Sequence, residues 1–376
     1  MYVLQLGLIG LSIALIPLLY VKTKGNRNKF RKLAWVAVFF TFDLIMFGSF
    51  TRLTDSGLGC PDWPGCYATA TPFLAHSEIR AAETALPTGP VTFTKAWIEM
   101  IHRYFAMAIG VLIITLMVLA WVKRKELKQS PWLPTGAFLL VCLQGAFGAW
   151  TVTMKLQPII VTTHLLLALT LLGVLTWLAS RQEIVVPDGT LLRWRWFALG
   201  GLVLLAMQIA LGGWVSTNYA VLACTHFPKC RGDWIPPMDF AHGFKLWRAL
   251  GRTAGGEIIP MDALVAIHWV HRTFAFVVIP YLTWLGVRLR RVTALRKTAT
   301  LLLLMLLAQL LTGLGNILLK WPLPIAVAHT GGAAFMLLLL VMLNYHIVTA
   351  GRLARAQTRQ HSPQADSLGN AGSRSV

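Results

Sequence analysis

Charged residues are scarce in this chain. They make up 13% of its 376 residues, against 56% that are apolar, and the mean hydropathy is +0.63. A soluble globular protein carries about a quarter charged residues, so the composition argues against a soluble enzyme. Acidic side chains are scarcer still: 14 Asp and Glu stand against 34 Lys and Arg, a net charge of +20. On a soluble domain that excess would suggest a nucleic-acid partner. Here its meaning depends on where the charges sit relative to the apolar runs.

Those runs are long. A bilayer takes about 20 apolar residues to cross, and nine stretches qualify: 2–21, 34–53, 97–122, 133–153, 159–180, 196–217, 263–287, 298–319 and 324–349. Fifteen Trp and eighteen Phe suit interfacial anchoring and bulky apolar packing. The first stretch stands where a signal peptide would. It lacks a basic leading region and a small-residue cleavage site, and a basic run from Lys22 to Lys32 follows it, which makes it a retained anchor.

The short connections 22–33, 123–132, 181–195 and 288–297, with the tail after 350, hold 22 of the 34 Lys and Arg, whereas the long connections 54–96 and 218–262 hold seven. Basic residues accumulate on the cytoplasmic side. The long connections and the N-terminus are therefore expected outside, in a bacterial plasma membrane, with the C-terminus cytoplasmic. The excess of positive charge reads as topology, with no nucleic-acid partner. The tail from Arg352, rich in Arg, Gln, Ser and Gly, reads as disordered.

Four of the five cysteines fall in two pairs, Cys60 with Cys66 and Cys224 with Cys230, one pair in each long connection. An outward loop is oxidising, which favours two local disulfides over a four-thiolate zinc site. Cys142 lies mid-span and reads as a packing residue.

The cysteine loops belong to an internal repeat. Gly48 and Gly212 each stand twelve residues before the first cysteine of a pair. Each half then has a His-Arg pair (His102-Arg103, His271-Arg272), a Gln and Gly four apart (Gln144/Gly148, Gln309/Gly313) and a span opened by a single histidine, His164 or His329. Gln208/Gly212 repeats the Gln–Gly spacing. Glycines there would let helices approach, with Gln bridging them. The expected architecture is an all-α integral membrane protein of tandem duplicated four-helix bundles, an eight-helix core, plus one extra N-terminal helix. Its segments are 1–33, 34–180, 181–350 and a tail 351–376.

Ionisable residues within a span are costly and point to function. His102, His164, His271 and His329 all lie about five to eight residues into their spans from the outer side. Within each half the pair comes from two helices running the same way. Two imidazoles at one depth suit axial ligation of a haem, each nitrogen about 2 Å from iron. Zinc or copper is less suited, because further cysteine or carboxylate ligands are missing. Arg103 and Arg272 can pair with haem propionates or anchor the helix to lipid headgroups. Glu99, three residues before His102, has His268 as its counterpart. A carboxylate beside a haem edge can act as base or cation stabiliser; the alternative is a buried Glu satisfied by Arg or Thr. His268 reads as supporting a ligand or lying near a propionate. Asp43, mid-span, reads as a buried hydrogen-bond partner.

The string Thr51-Arg-Leu-Thr-Asp-Ser-Gly-Leu-Gly-Cys60-Pro-Asp-Trp-Pro-Gly-Cys66, with Glu99-x-x-His102-Arg103, His164, His271-Arg272 and His329, resembles the haem A synthase family over residues 34–350. That resemblance implies oxidation of a methyl group of haem O to a formyl group, giving haem A for cytochrome c oxidase. It implies that His102 and His164 ligate the substrate haem O, that Glu99 is catalytic and that His271 and His329 ligate a cofactor haem b. It also implies disulfides Cys60–Cys66 and Cys224–Cys230. Haem O synthase is the implied substrate donor; the electron donor or acceptor is unnamed, and a homo-oligomer is open. Segment 2–21 and the loop insertions 67–96 and 231–262 exceed the family's core pattern. A quinol-linked dihaem b-type electron carrier and a haem transporter or chaperone are the competing readings.

Overall fold

The computed structural model describes residues 1–23, 29–127 and 129–360. Twelve α-helices follow one another: α1 (Tyr2–Thr23), α2 (Lys29–Leu53), α3 (His76–Ala85), α4 (Phe93–Val122), α5 (Arg124–Leu127), α6 (Trp132–Thr153), α7 (Pro158–Ser180), α8 (Arg195–Thr217), α9 (Phe240–Gly243), α10 (Met261–Leu289), α11 (Arg296–Leu318) and α12 (Leu323–Gln360). Among the described residues, nine helices are long and apolar enough to cross a membrane, and each overlaps one expected span. The chain is a multi-pass membrane protein. Helix is the favoured spanning form because lipid offers no partner for backbone N–H and C=O groups, so each segment must satisfy its own.

Helices α2, α4, α6 and α7 pack as a ring in which α2 and α6 each touch both α4 and α7. Helices α8, α10, α11 and α12 form a second ring of the same order, with α8 and α11 each touching α10 and α12. In both rings the two histidine-bearing helices therefore face each other across the diagonal. The rings meet where α12 packs on α2 and α7, and α7 on α8. Buried Leu171, Leu172 and Leu175 of α7 and Leu340, Leu343 and Ile347 of α12 belong to the continuous core. Hydrogen bonds cross the seam: Ser49 Oγ donates to Thr330 Oγ1 at 3.1 Å, and the hydroxyls of Thr162 and Thr217 lie 2.9 Å apart.

The repeat also shows in the backbone. Asp55 after α2 and Tyr219 after α8 both have positive φ, as do Lys155-Leu156 after α6 and Lys320-Trp321 after α11. Isolated bridges Cys66–Thr69 and Cys230–Asp233 close the two cysteine loops in the same way. At this end of the molecule the halves are joined: Arg52 donates to the Ser216 carbonyl at 2.7 Å and lies over the Tyr219 ring, whose hydroxyl is 2.5 Å from Asp55.

Helix α1 packs mainly along α4. Its Tyr2, Leu6 and Ile9 cluster with Cys60, Cys66, Met100 and Tyr104, so the added helix braces the first cysteine loop. Hydrophobic runs did not reveal α3 and α9, which lie in the insertions. Short helices on the rim need only one buried residue, Ile79 in α3 and Gly243 in α9. The tail differs from expectation too. Residues 351–360 continue α12, because the Ala350 carbonyl accepts from Asp188 N at 3.1 Å and Gly351 packs on Leu192. The rest of the expected disordered tail, 361–376, lies outside the described residues, as do 24–28 of the basic connection.

Candidate functional site

Each site histidine faces a glycine on a neighbouring helix. A Cβ at Gly48 would lie 3.0 Å from His102 Nε2, and one at Gly148 3.4 Å from His164 Cε1. In the second ring a Cβ at Gly212 would come within 2.9 Å of His271 Cε1, and one at Gly313 within 3.3 Å of His329 Cε1. The conspicuous glycines of the repeat thus make room for imidazoles as well as for helix packing.

Two of the three glutamines of the repeat bridge helices, Gln144 and Gln208. Gln144 Nε2 on α6 donates to the His164 carbonyl on α7 at 2.9 Å, and Gln208 Nε2 on α8 to the His271 carbonyl on α10 at 3.1 Å. Gln208 Nε2 also lies 3.2 Å from His271 Nδ1. In the last pair Thr312 Oγ1 meets His329 Nδ1 at 2.9 Å. This threonine was not anticipated; the signal available was its place immediately before the Gly of Gln309-x-x-x-Gly313, where the first half has Phe147.

Both cysteine pairs are disulfides, Cys60–Cys66 and Cys224–Cys230. The first loop is tied to α4 by charge. Glu99, buried, accepts the Cys60 amide on Oε2 at 2.8 Å and Arg103 Nη2 on Oε1 at 2.5 Å. Arg103 Nη1 donates to the carbonyls of Asp62, Pro64 and Gly65 at 2.9, 3.2 and 2.5 Å. Asp62 in turn caps the amides of Tyr67 and Ala68, each at 2.7 Å. Burial, with Asp62 and Glu78 nearby, pushes the Tyr67 phenol above its usual range.

Asp43 and Cys142 differ from expectation. Arg103 is buried and held by Glu99 and loop carbonyls. Arg272 likewise donates to loop carbonyls, those of His226 and Pro228 at 3.0 and 3.1 Å, while its Nη1 is buried without a partner. His268 is buried against the backbone of Ala220 and Val221. Asp43, expected to be buried, is exposed on α2, and Cys142, expected to be packed, is exposed on α6. Among the described residues helix α6 packs chiefly on α4 and α7, and only Pro134, Ala137 and Val152 of it are buried.

Each ring thus presents two imidazoles. Among the described residues, no three or more His, Cys, Asp or Glu side chains gather as a metal site. A zinc ion wants three or four protein ligands; haem iron brings four nitrogens of its own and needs only an axial pair. His164 Nδ1 is buried with no partner, unusual for a histidine that serves packing alone. The residues fit haem.

A family model described as cytochrome oxidase assembly protein, COX15-CtaA, matches residues 31–341. The chain belongs to the COX15-CtaA family. The heme A synthase of Shewanella oneidensis is 38% identical over 322 residues, covering 84% of this chain and 97% of that protein. That of Rhizorhabdus wittichii is 29% identical over 319 residues, covering 79% and 87%. The heme A synthase of Halalkalibacterium halodurans is 26% identical over 238 residues, covering 62% and 73%. Helix α1 precedes the residues that the family model matches.

Proposed function

We propose that this COX15-CtaA protein is a haem A synthase. It oxidises one methyl group of haem O to a formyl group by two successive hydroxylations, the gem-diol then losing water. The observation that carries this reading is the diagonal histidine pair in each ring, with a buried carboxylate, Glu99, three residues before the histidine of α4 and none at the matching place in α10. Among the described residues Glu99 is the one buried carboxylate.

In this reading His102 and His164 hold the substrate haem O, and His271 and His329 hold haem b, which supplies electron transfer when bound. The glycines opposite the rings leave the imidazoles room to turn toward a ligand. Glu99 supplies negative charge in the ring that holds substrate, and there it can stabilise an electron-deficient methyl carbon or accept its proton. Arg103 fixes the carboxylate's position through its ion pair and ties it to the Cys60–Cys66 loop. Haem O synthase supplies the substrate. The cysteine loops face the periplasm of a bacterial plasma membrane, with the end of α12 in the cytoplasm, so a membrane-impermeant thiol reagent should label the loops of intact spheroplasts only after reduction.

The deciding experiment co-expresses the chain with a haem O synthase and separates the extracted pigments by chromatography. Haem A should accumulate at the expense of haem O. Haem O left unconverted beside a b-type spectrum would favour the dihaem electron carrier.

A further inference from the structure

The two histidine pairs are not prepared alike. In the C-terminal ring both Nδ1 atoms have a partner. Thr312 Oγ1 donates to the Ala308 carbonyl at 2.9 Å, which commits the hydroxyl's single proton and leaves its lone pairs to accept His329 Nδ1–H at 2.9 Å. Neutral imidazole carries one N–H, so a proton fixed on Nδ1 leaves Nε2 bare. Gln208 places its amide 3.2 Å from His271 Nδ1, and its buried Oε1 has no partner. The same Nε2 donates to the His271 carbonyl at 3.1 Å, so turning the amide over would set Oε1 against that carbonyl oxygen; Gln208 steadies the ring and does not accept from it.

The N-terminal ring has a glutamine on a histidine carbonyl too, Gln144 on His164, but no hydroxyl in the place of Thr312. Aligned on the glycines that face the histidines, Phe147 occupies the place of Thr312, and Leu44 that of Gln208. His164 Nδ1 is buried without a partner; Gln144 Nε2 approaches the other nitrogen, Nε2, at 3.5 Å. His102 stacks on Phe47, ring centroids 6.3 Å apart, and lies against Gly48. Among the described residues nothing hydrogen-bonds its ring. An aromatic ring in the place of Thr312 cannot accept an N–H in the way a hydroxyl can.

We propose that Thr312 is a positioning residue that makes the C-terminal pair a permanent haem holder, and that Phe147, which stands in its place, leaves the N-terminal pair able to release its haem. The proposal rests on the reading that both pairs ligate haem. Its physical basis is general: an acceptor on the second imidazole nitrogen fixes tautomer and ring orientation and raises ligand basicity, and removing it costs about 10–100-fold in metal affinity. A ring that exchanges substrate for product gains from lacking that hold; a ring that keeps a cofactor gains from having it.

The test uses the full-length protein in detergent, with apomyoglobin in excess as haem acceptor and the Soret band as readout. Thr312→Val, which keeps the branched shape, should speed haem b transfer by about tenfold, and Thr312→Ser should restore the slow rate. The midpoint potential of haem b should rise in Thr312→Val, because a less basic imidazole donates less to the ferric iron; loosened packing alone would not be reversed by serine. The gain-of-function partner is Phe147→Thr in a His329→Ala background, loaded with haem B so that only His102 and His164 can bind it. There transfer should slow by about tenfold. Unchanged rates in both Thr312→Val and Phe147→Thr would overturn the proposal while leaving the haem sites intact. Full haem b content in His329→Ala as purified, before any haem B is added, would instead overturn the ligand assignment beneath it.

Discussion

In the N-terminal ring Arg103 spends one guanidinium nitrogen on Glu99 and the other on three carbonyls of the first cysteine loop. In the C-terminal ring Arg272 reaches two carbonyls of the second loop, and its remaining terminal nitrogen is buried with nothing to bond. Outside the loop insertions the scaffolds match, down to the positive φ values after α6 and α11. The difference comes from one position, Glu99 against His268. A buried carboxylate is stable only with a cation and hydrogen bonds around it, and Glu99 has both. With no carboxylate at the matching place, Arg272 lacks its counterpart. The frame occurs twice, and the buried ion pair occurs in one copy.

The comparison breaks most visibly at the histidines. His271→Ala or His329→Ala should abolish the haem b signal in reduced-minus-oxidised spectra, whereas His102→Ala or His164→Ala should leave it and impair only the substrate haem. Equal losses from all four variants would mean one shared site and would end the two-ring assignment.

Next in size is Glu99. Glu99→Gln keeps the shape and one oxygen for the Cys60 amide but removes the charge that Arg103 pairs with. Conversion of haem O should fall by about a hundredfold or more, the lower range of a positioned acid–base group, with haem b retained. Glu99→Asp should keep part of the activity if charge matters more than reach. Normal pigment ratios in Glu99→Gln would make the carboxylate a structural clamp on the cysteine loop.

The arginines test that clamp directly. Arg103→Ala leaves a buried carboxylate uncompensated and should cost about 3–5 kcal/mol of stability. Arg272→Ala leaves only two loop carbonyls without a donor, about 1–3 kcal/mol. Thermal unfolding of both variants in one detergent measures the gap. Equal shifts would show that Glu99 is neutral in the native protein and that Arg103 acts on the loop alone.

Much of this architecture is legible in the sequence because a membrane imposes long apolar runs, and because ionisable residues inside them stand out. The spans, the cysteine pairs and the residues of the two rings follow from such signals. Side-chain direction does not. Arg103 follows a histidine on a helix, and nothing in that spacing says whether it points toward a ligand or a loop; the packing of a folded-back segment 38 to 41 residues away decides it. Asp43 and Cys142 were misread for a related reason. A residue in the middle of a span is buried only if another helix covers its face, and apolar periodicity is weak when both lipid and core are apolar. Residues 351–360 look like a polar tail, but contacts with 188 and 192 keep them helical.

The smallest effect concerns the glycines, and it sharpens the comparison most. Replacing a helical Gly by Ala gains about 0.8–1 kcal/mol in helix propensity, so any loss must come from what the new methyl meets. At Gly148 it would sit 3.4 Å from His164 Cε1, an ordinary contact with a ring whose Nδ1 is unbonded. Gly148→Ala should therefore be neutral or slightly stabilising, with haem binding unchanged in both rings. At Gly212 the methyl would come within 2.9 Å of His271 Cε1, so the ring must move by a few tenths of an ångström. The Gln208 contacts at 3.2 and 3.1 Å resist that movement. Gly212→Ala should lower haem b content, and Gly212→Ala with Gln208→Leu should recover part of it, because a released ring can turn aside. If the double variant holds no more haem b than Gly212→Ala, His271 is confined by its helix rather than by Gln208, and the contrast between the rings then rests on Thr312 alone.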